Sequence, residues 1–148
     1  MSTGSHTAVI LLLLAGLSVA SPTGKDTTIR RLDACDDLLA PCSSPYAQAP
    51  DGCSGVPNKY GSVDFTEVCN EHDRCYYTLG SNADDCNNDF RDALIRECQT
   101  SATSRFLLRA CKLIANKYYI GVAATADFFH TRAQQRQKIH EHCCFCCA

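Results

Sequence analysis

Beyond Arg31, apolar positions recur at helical spacing in three stretches, and the segment ahead of them has no apolar period. The first helix is predicted from Asp64 to about Thr78. Cys69, His72, Asp73 and Tyr76 fall there at i, i+3, i+4 and i+7, on one face. Asp64 as N-cap with Glu67 three residues on, and Val63 and Val68 placed as a staple, mark its start. Gly80 marks its stop. After a short turn, Ser81-Asn82-Ala83, a second helix is expected from about Asp84 to Gln99, with Cys86, Phe90, Leu94 and Cys98 as an i+4 stripe. A third follows Ser104. Phe106, Leu107, Ala110, Cys111, Ile114, Ala115, Tyr118, Tyr119 and Val122 keep the period to roughly Phe128, with Gly121 a weak point. Leu32 to Ala40 suits a short helix ended by Pro41. Residues 43–61, rich in Pro and Gly, read as loop with room for a small ribbon at most. His130 to Ala148 reads as a basic, then cysteine-rich, tail. The fold class is therefore all-α: a small disulfide-stapled domain with two long antiparallel helices, a third helix and a loop suited to calcium.

The chain has 148 residues. Its first twenty match a secretory signal. The apolar run Ala8 to Leu17 is too short to span a bilayer and is followed by small residues, with cleavage expected after Ala20. Residues 21–31 resemble a propeptide ending in Arg30-Arg31. The expected mature domain is 32–148, secreted and extracellular, with 132–148 as its Cys-rich tail. All twelve cysteines lie in it, which reads as a disulfide framework in a chain too small to rely on its core alone.

The formal net charge of −2 gives no basis for nucleic-acid binding. Its distribution is uneven. Leu32 to Glu97 holds 13 Asp/Glu against 4 Lys/Arg, and Cys98 to Ala148 holds 2 against 7. The acidic part suits a cation and the basic part suits phosphate head groups, or the two are simply solvated helix surfaces of uneven charge.

The short turn between helices one and two makes them antiparallel neighbours, and a Cys75–Cys86 bridge fits that geometry, worth about 3 kcal/mol in the chain-entropy model. A Cys53–Cys69 bridge would fasten the long loop to helix one. Asp73 lies one turn along from Cys69, so loop carbonyls near Gly52 would hang over its carboxylate, with Asp51 as a second acid. Carbonyls plus carboxylates are how proteins bind Ca²⁺. Cys98–Cys111 would close the turn between helices two and three. Adjacent cysteines rarely bridge each other, so the four tail cysteines need separate partners. Two of them suit Cys35 and Cys42; the other two pair within the tail or with another chain. The His140/His142/Cys143 cluster has the composition of a zinc site but matches no finger spacing.

Three groups of residues carry a family likeness: Cys69-x-x-His72-Asp73-x-Cys75-Tyr76, Asp51-Gly52-Cys53 upstream, and Cys86-x-x-x-Phe90-x-x-x-Leu94-x-x-x-Cys98 downstream. Over about Pro50 to Val122 the chain resembles the secreted phospholipase A2 superfamily, in particular its prokaryotic and fungal branch and the conodipine-type venom members. The resemblance implies Ca²⁺-dependent hydrolysis of the sn-2 ester of glycerophospholipids at a membrane or micelle surface. It makes His72 the general base for a water and gives Asp73, the Gly52 carbonyl and the Asp51 side chain to Ca²⁺. In the animal pattern the Ser54 carbonyl serves too. It places the Ser54 N–H at the oxyanion and Tyr76 in support of the dyad.

The chain departs from the family at one position. The usual dyad aspartate falls on Asn87, which carries no charge for an imidazolium and whose amide can turn to favour the other tautomer. Asp89 lies level with His72 but points away from Asn87's face; Asp84 shares that face further off. Two other readings follow: a phospholipase-like toxin or receptor-binding protein with a degenerate site, or a purely structural disulfide protein.

Overall fold

The computed structural model describes Cys35, Leu38 and residues 40–145. The signal and propeptide segments, most of the expected Leu32–Ala40 helix, and Cys146 and Cys147 lie outside the described residues. The loop leads into a two-stranded antiparallel ribbon, β1 (Lys59–Tyr60) and β2 (Val63–Asp64), with Lys59 opposite Asp64. Four helices follow: α1 (Thr66–Tyr77), α2 (Ala83–Ser101), α3 (Arg105–Ala124) and α4 (Ala126–Phe145). Among the described residues no helix is long and apolar enough to cross a membrane.

The start of α1 differs from expectation. Phe65 occupies the N-cap position without a side-chain cap bond. Asp64 instead accepts from the Thr66 N–H at 3.0 Å and pairs with Lys59 across the ribbon at 3.0 Å. Phe65 is fully buried, and seating its ring in the core sets where the helix begins. Glu67 closes no capping box; it pairs with Arg74 at 2.7 Å. The later starts follow familiar chemistry. Asn82 accepts from the N–H groups of Asp84 and Asp85, and Ser104 from that of Leu107.

One apolar cluster holds α1, α2, α3 and the ribbon together: Val63, Phe65, Cys69, Phe90, Leu94, Cys98, Cys111 and Ala115. Cys53–Cys69 and Cys98–Cys111 form bridges in it with Cα separations of 5.0 and 5.7 Å, and Cys75–Cys86, at 5.8 Å, lies in a second cluster with Ala47, Tyr76, Tyr77 and Ala133.

The tail is the main correction. Helix α3 stops at Ala124, where the Thr125 hydroxyl turns back to the Gly121 carbonyl at 2.9 Å. The chain then forms α4, which packs on α1 and α2. Its buried residues are Ala126, Ala133, Gln137, His140 and Cys144. The spacing is helical, but the side chains are small or polar. Gln134 takes the Gly80 N–H and donates to the carbonyls of Tyr76 and Thr78 at 2.7 and 2.8 Å. Gln137 takes the Ala47 N–H at 2.8 Å and donates to the Pro45 carbonyl at 2.9 Å. Cys35–Cys143 and Cys42–Cys144 fasten the far end of α4 to the N-terminal arm.

Candidate functional site

Helices α1 and α2 run antiparallel, and their facing residues place an imidazole against an amide. His72 is 8% exposed, and its Nε2 lies 2.8 Å from Asn87 Oδ1. Tyr76 donates its hydroxyl to the same oxygen at 2.9 Å. With Oδ1 accepting from both, His72 carries its proton on Nε2 and keeps the Nδ1 lone pair as its basic site. Asn87 Nδ2 is then buried without a partner among the described residues. An unmet buried N–H costs roughly 1–3 kcal/mol, and a carboxylate at 87 would have no such group. Asp84 and Asp89 are both exposed, so neither replaces Asn87.

The rings of Tyr76 and Phe90 flank His72 at 4.3 and 4.5 Å. Burial holds its pKa below the ordinary value; the Asn87 bond partly offsets this and the His130 charge adds to it. The imidazole is thus kept neutral, the form a base needs. His130 reaches the site from α4, edge-on to Tyr76 at 5.1 Å.

One residue on, Asp73 has its carboxyl pushed up to about 6, first by burial and then by the Asp51 charge. Two acids that repel each other at the rim of a cleft are a fit for a dication. Beside them the loop is fixed onto α1 by the Gly52 N–H, which donates to Asn70 Oδ1 at 2.9 Å, and onto itself by the Cys53 N–H, which donates to Asn58 Oδ1 at 2.6 Å. Gly52 has φ +89°, and a Cβ there would meet Asn58 Oδ1 at 2.7 Å, so only glycine suits the position. Among the described residues no three His, Cys, Asp or Glu gather as a metal cluster. The donor set is instead two carboxylates with backbone beside them, which fits a hard oxygen-seeking ion such as Ca²⁺, completed by water, and not a soft metal.

A cleft of about 560 Å³ joins these parts. His72, Asp73, Tyr76 and Phe90 lie on one side and Gly52, Cys53 and Ser54 at one edge. Asn87 is buried behind His72, and Asp51 is exposed outside the lining. Part of the lining is not foreseen from the sequence: Lys117 and Tyr118 from α3, and Phe129, Arg132 and Arg136 from α4. The basic bias of the C-terminal part was its signal, but placing it in the cleft required α4. The loop anchors Asn58 and Asn70 also escaped the sequence reading, since a side chain capping a distant N–H has no pattern.

No protein-family model matches the chain, and no solved structure matches it. Among curated proteins it matches the Group XIIA secretory phospholipase A2 of Homo sapiens, 39% identical over 54 residues, covering 34% of this chain and 29% of that protein. The protein of the same name from Mus musculus matches equally well, with 28% of its length covered. The chain thus spans less than a third of the length of the relatives it matches. Over that stretch it is related to the secreted phospholipases A2.

Proposed function

We propose that the protein is a secreted, Ca²⁺-dependent phospholipase A2 that hydrolyses the sn-2 ester of glycerophospholipids. The observation that carries this is the neutral, buried His72 bonded through Nε2 to Asn87 Oδ1, in the same cleft as Asp73 and Gly52. In this reading His72 Nδ1 takes a proton from a water as that water attacks the ester carbonyl. The imidazolium keeps its Nε2–H bond to Asn87, then returns a proton to the departing lyso-lipid oxygen. Tyr76 holds the Asn87 amide in the orientation that keeps Nδ1 free. In this reading the Ser54 N–H, at the edge of the same cleft, donates to the oxyanion. Asp73, Asp51 and the Gly52 carbonyl would hold Ca²⁺, which supplies Lewis-acid polarisation and positive charge for the substrate phosphate.

A lipid surface as partner is supported by the outer face of α3 and the α3–α4 corner. Phe106, Leu113 and Ile120 repeat every seven residues along α3 and are exposed, as are Phe128 and Phe129. The likeness of Asp51-Gly52-Cys53 to the prokaryotic and fungal branch belongs to the same proposal.

Fatty-acid release from phospholipid micelles is expected with millimolar Ca²⁺, to vanish with chelator and in His72→Gln. No release by the wild type would end the reading. Asn87 favours a second one, a phospholipase-like toxin or receptor-binding protein with a weakened site. Asn87→Asp separates them: a gain of tenfold or more in rate marks a working site slowed by its amide, and silence in both forms marks a binding protein.

A further inference from the structure

Resting on the proposed phospholipase reading, we infer that the wall formed by Lys117, Arg132 and Arg136 is a head-group subsite that selects lipids whose head group carries net negative charge and no ammonium. Arg132 and Arg136 stand four residues apart on α4, so both project from one face, and that face lines the same cleft as His72 and Asp73. Lys117 joins them from α3. None of the three makes an ion pair with a described residue; the ion pairs there are Lys59–Asp64 and Arg74–Glu67. Arg136 is held in place by an uncharged acceptor: its Nη1 donates to Gln48 Oε1 at 3.2 Å, and Tyr77 donates to the same oxygen at 2.9 Å. Its other N–H groups have no partner among the described residues.

Lys117 and Arg132 are exposed and Arg136 is half-buried, so the three cations stay solvated at the mouth of a mostly apolar cleft and can meet an anionic group there. Guanidinium groups suit phosphate and carboxylate oxygens. A choline head group would bring its own cation against this wall, whereas a glycerol or bare phosphate head group would not. The rest of the molecule argues that any such preference is local. The whole chain has a formal charge of −2, so bulk attraction to an anionic surface is not its source.

The test uses His72→Gln protein in millimolar Ca²⁺, so that ligand is not consumed. Dihexanoyl phosphatidylglycerol and dihexanoyl phosphatidylcholine, each kept monomeric, are titrated by calorimetry. Monomers read the cleft and not the outer apolar stripe. The glycerol lipid is expected to bind at least tenfold more tightly. Adding Arg132→Gln and Arg136→Gln should bring the two lipids within about twofold, and Arg132→Gln alone, at an exposed position, should lose part of the gap. Arg109→Gln, exposed on α3 outside the cleft, should leave it unchanged. Equal binding of the two lipids, binding of neither, or an equal loss in Arg109→Gln overturns the inference. The hydrolase reading is scored separately. Selection by the His72→Gln protein with no fatty acid released by the wild type keeps the subsite and removes the enzyme, and release without selection does the reverse.

Discussion

The domain is fastened together in two different ways. Around α1, α2, α3 and the ribbon the contacts are apolar and shape-dependent: Phe65, Phe90 and Leu94 interlock between buried cystines. Between α4 and the 41–48 strap the contacts are polar and directional, with Gln137 joined to Pro45 and Ala47, and Gln134 closing over the end of α1. The first region tolerates one apolar side chain for another if volume is kept. The second tolerates a change of volume if donors and acceptors are kept. His72 and Lys117 stand on helices of the first region and Arg132 and Arg136 on α4 of the second, so both regions line the cleft.

The largest effect that would test this contrast is Leu94→Ala. Leu94 is completely buried in the apolar region, and its truncation is expected to lower stability by about 2–5 kcal/mol in urea unfolding. Leu94→Met, which keeps the volume, should cost less than about 1.5 kcal/mol. Next comes Gln137→Leu. It is of similar size and more hydrophobic, yet it strips partners from the Ala47 N–H and the Pro45 carbonyl and is expected to cost roughly 1–3 kcal/mol. A neutral or stabilising result would show that the polar region is an apolar core in disguise.

A smaller effect sharpens the picture inside the apolar region. Asp73 holds its proton more tightly when folded, so its stabilising contribution is full below its ordinary 3.8 and is lost as pH rises through about 6. The loss is moderated by the water the carboxyl retains. Melting temperature without Ca²⁺ should therefore decline between those values. Added Ca²⁺ should raise it more at pH 7 than at pH 5, because ion and proton compete for one group. Asp73→Asn should abolish both trends. Smallest of all is Asp89→Asn, on the exposed face of α2, expected within about 0.5 kcal/mol of wild type and without effect on any activity.

The same contrast explains what the sequence made legible. The i+4 series Cys86, Phe90, Leu94 and Cys98 announced α2, and the face shared by Cys69, His72, Asp73 and Tyr76 announced both α1 and the site. Hydrophobic burial leaves a periodic trace, and antiparallel helices on a short turn leave little choice of bridge for Cys75. Helix α4 leaves no such trace. Its inward positions are Ala133, Gln137, His140 and Cys144, which have the spacing of a helix and the hydropathy of a tail. Without α4, nothing indicated that Arg132 and Arg136 return to His72. The partners of Cys35 and Cys42 were narrowed to the tail but not chosen, because choosing between Cys143 and Cys144 requires the pitch of that helix. Asn87 was legible as a departure. That its Oδ1 serves two donors while its Nδ2 serves none is a matter of side-chain geometry alone.

The cystine map has a gap with mechanical meaning. Residues 112–142 contain no cysteine, and they run from the middle of α3 through the corner to most of α4. No cystine crosses this span: its α3 part is held by apolar packing on α2 around Ala115, and its α4 part by Ala133 and by amides such as Gln134 and Gln137. Widening of the cleft along this span would part non-covalent contacts alone, while the cystines that bracket it stay intact.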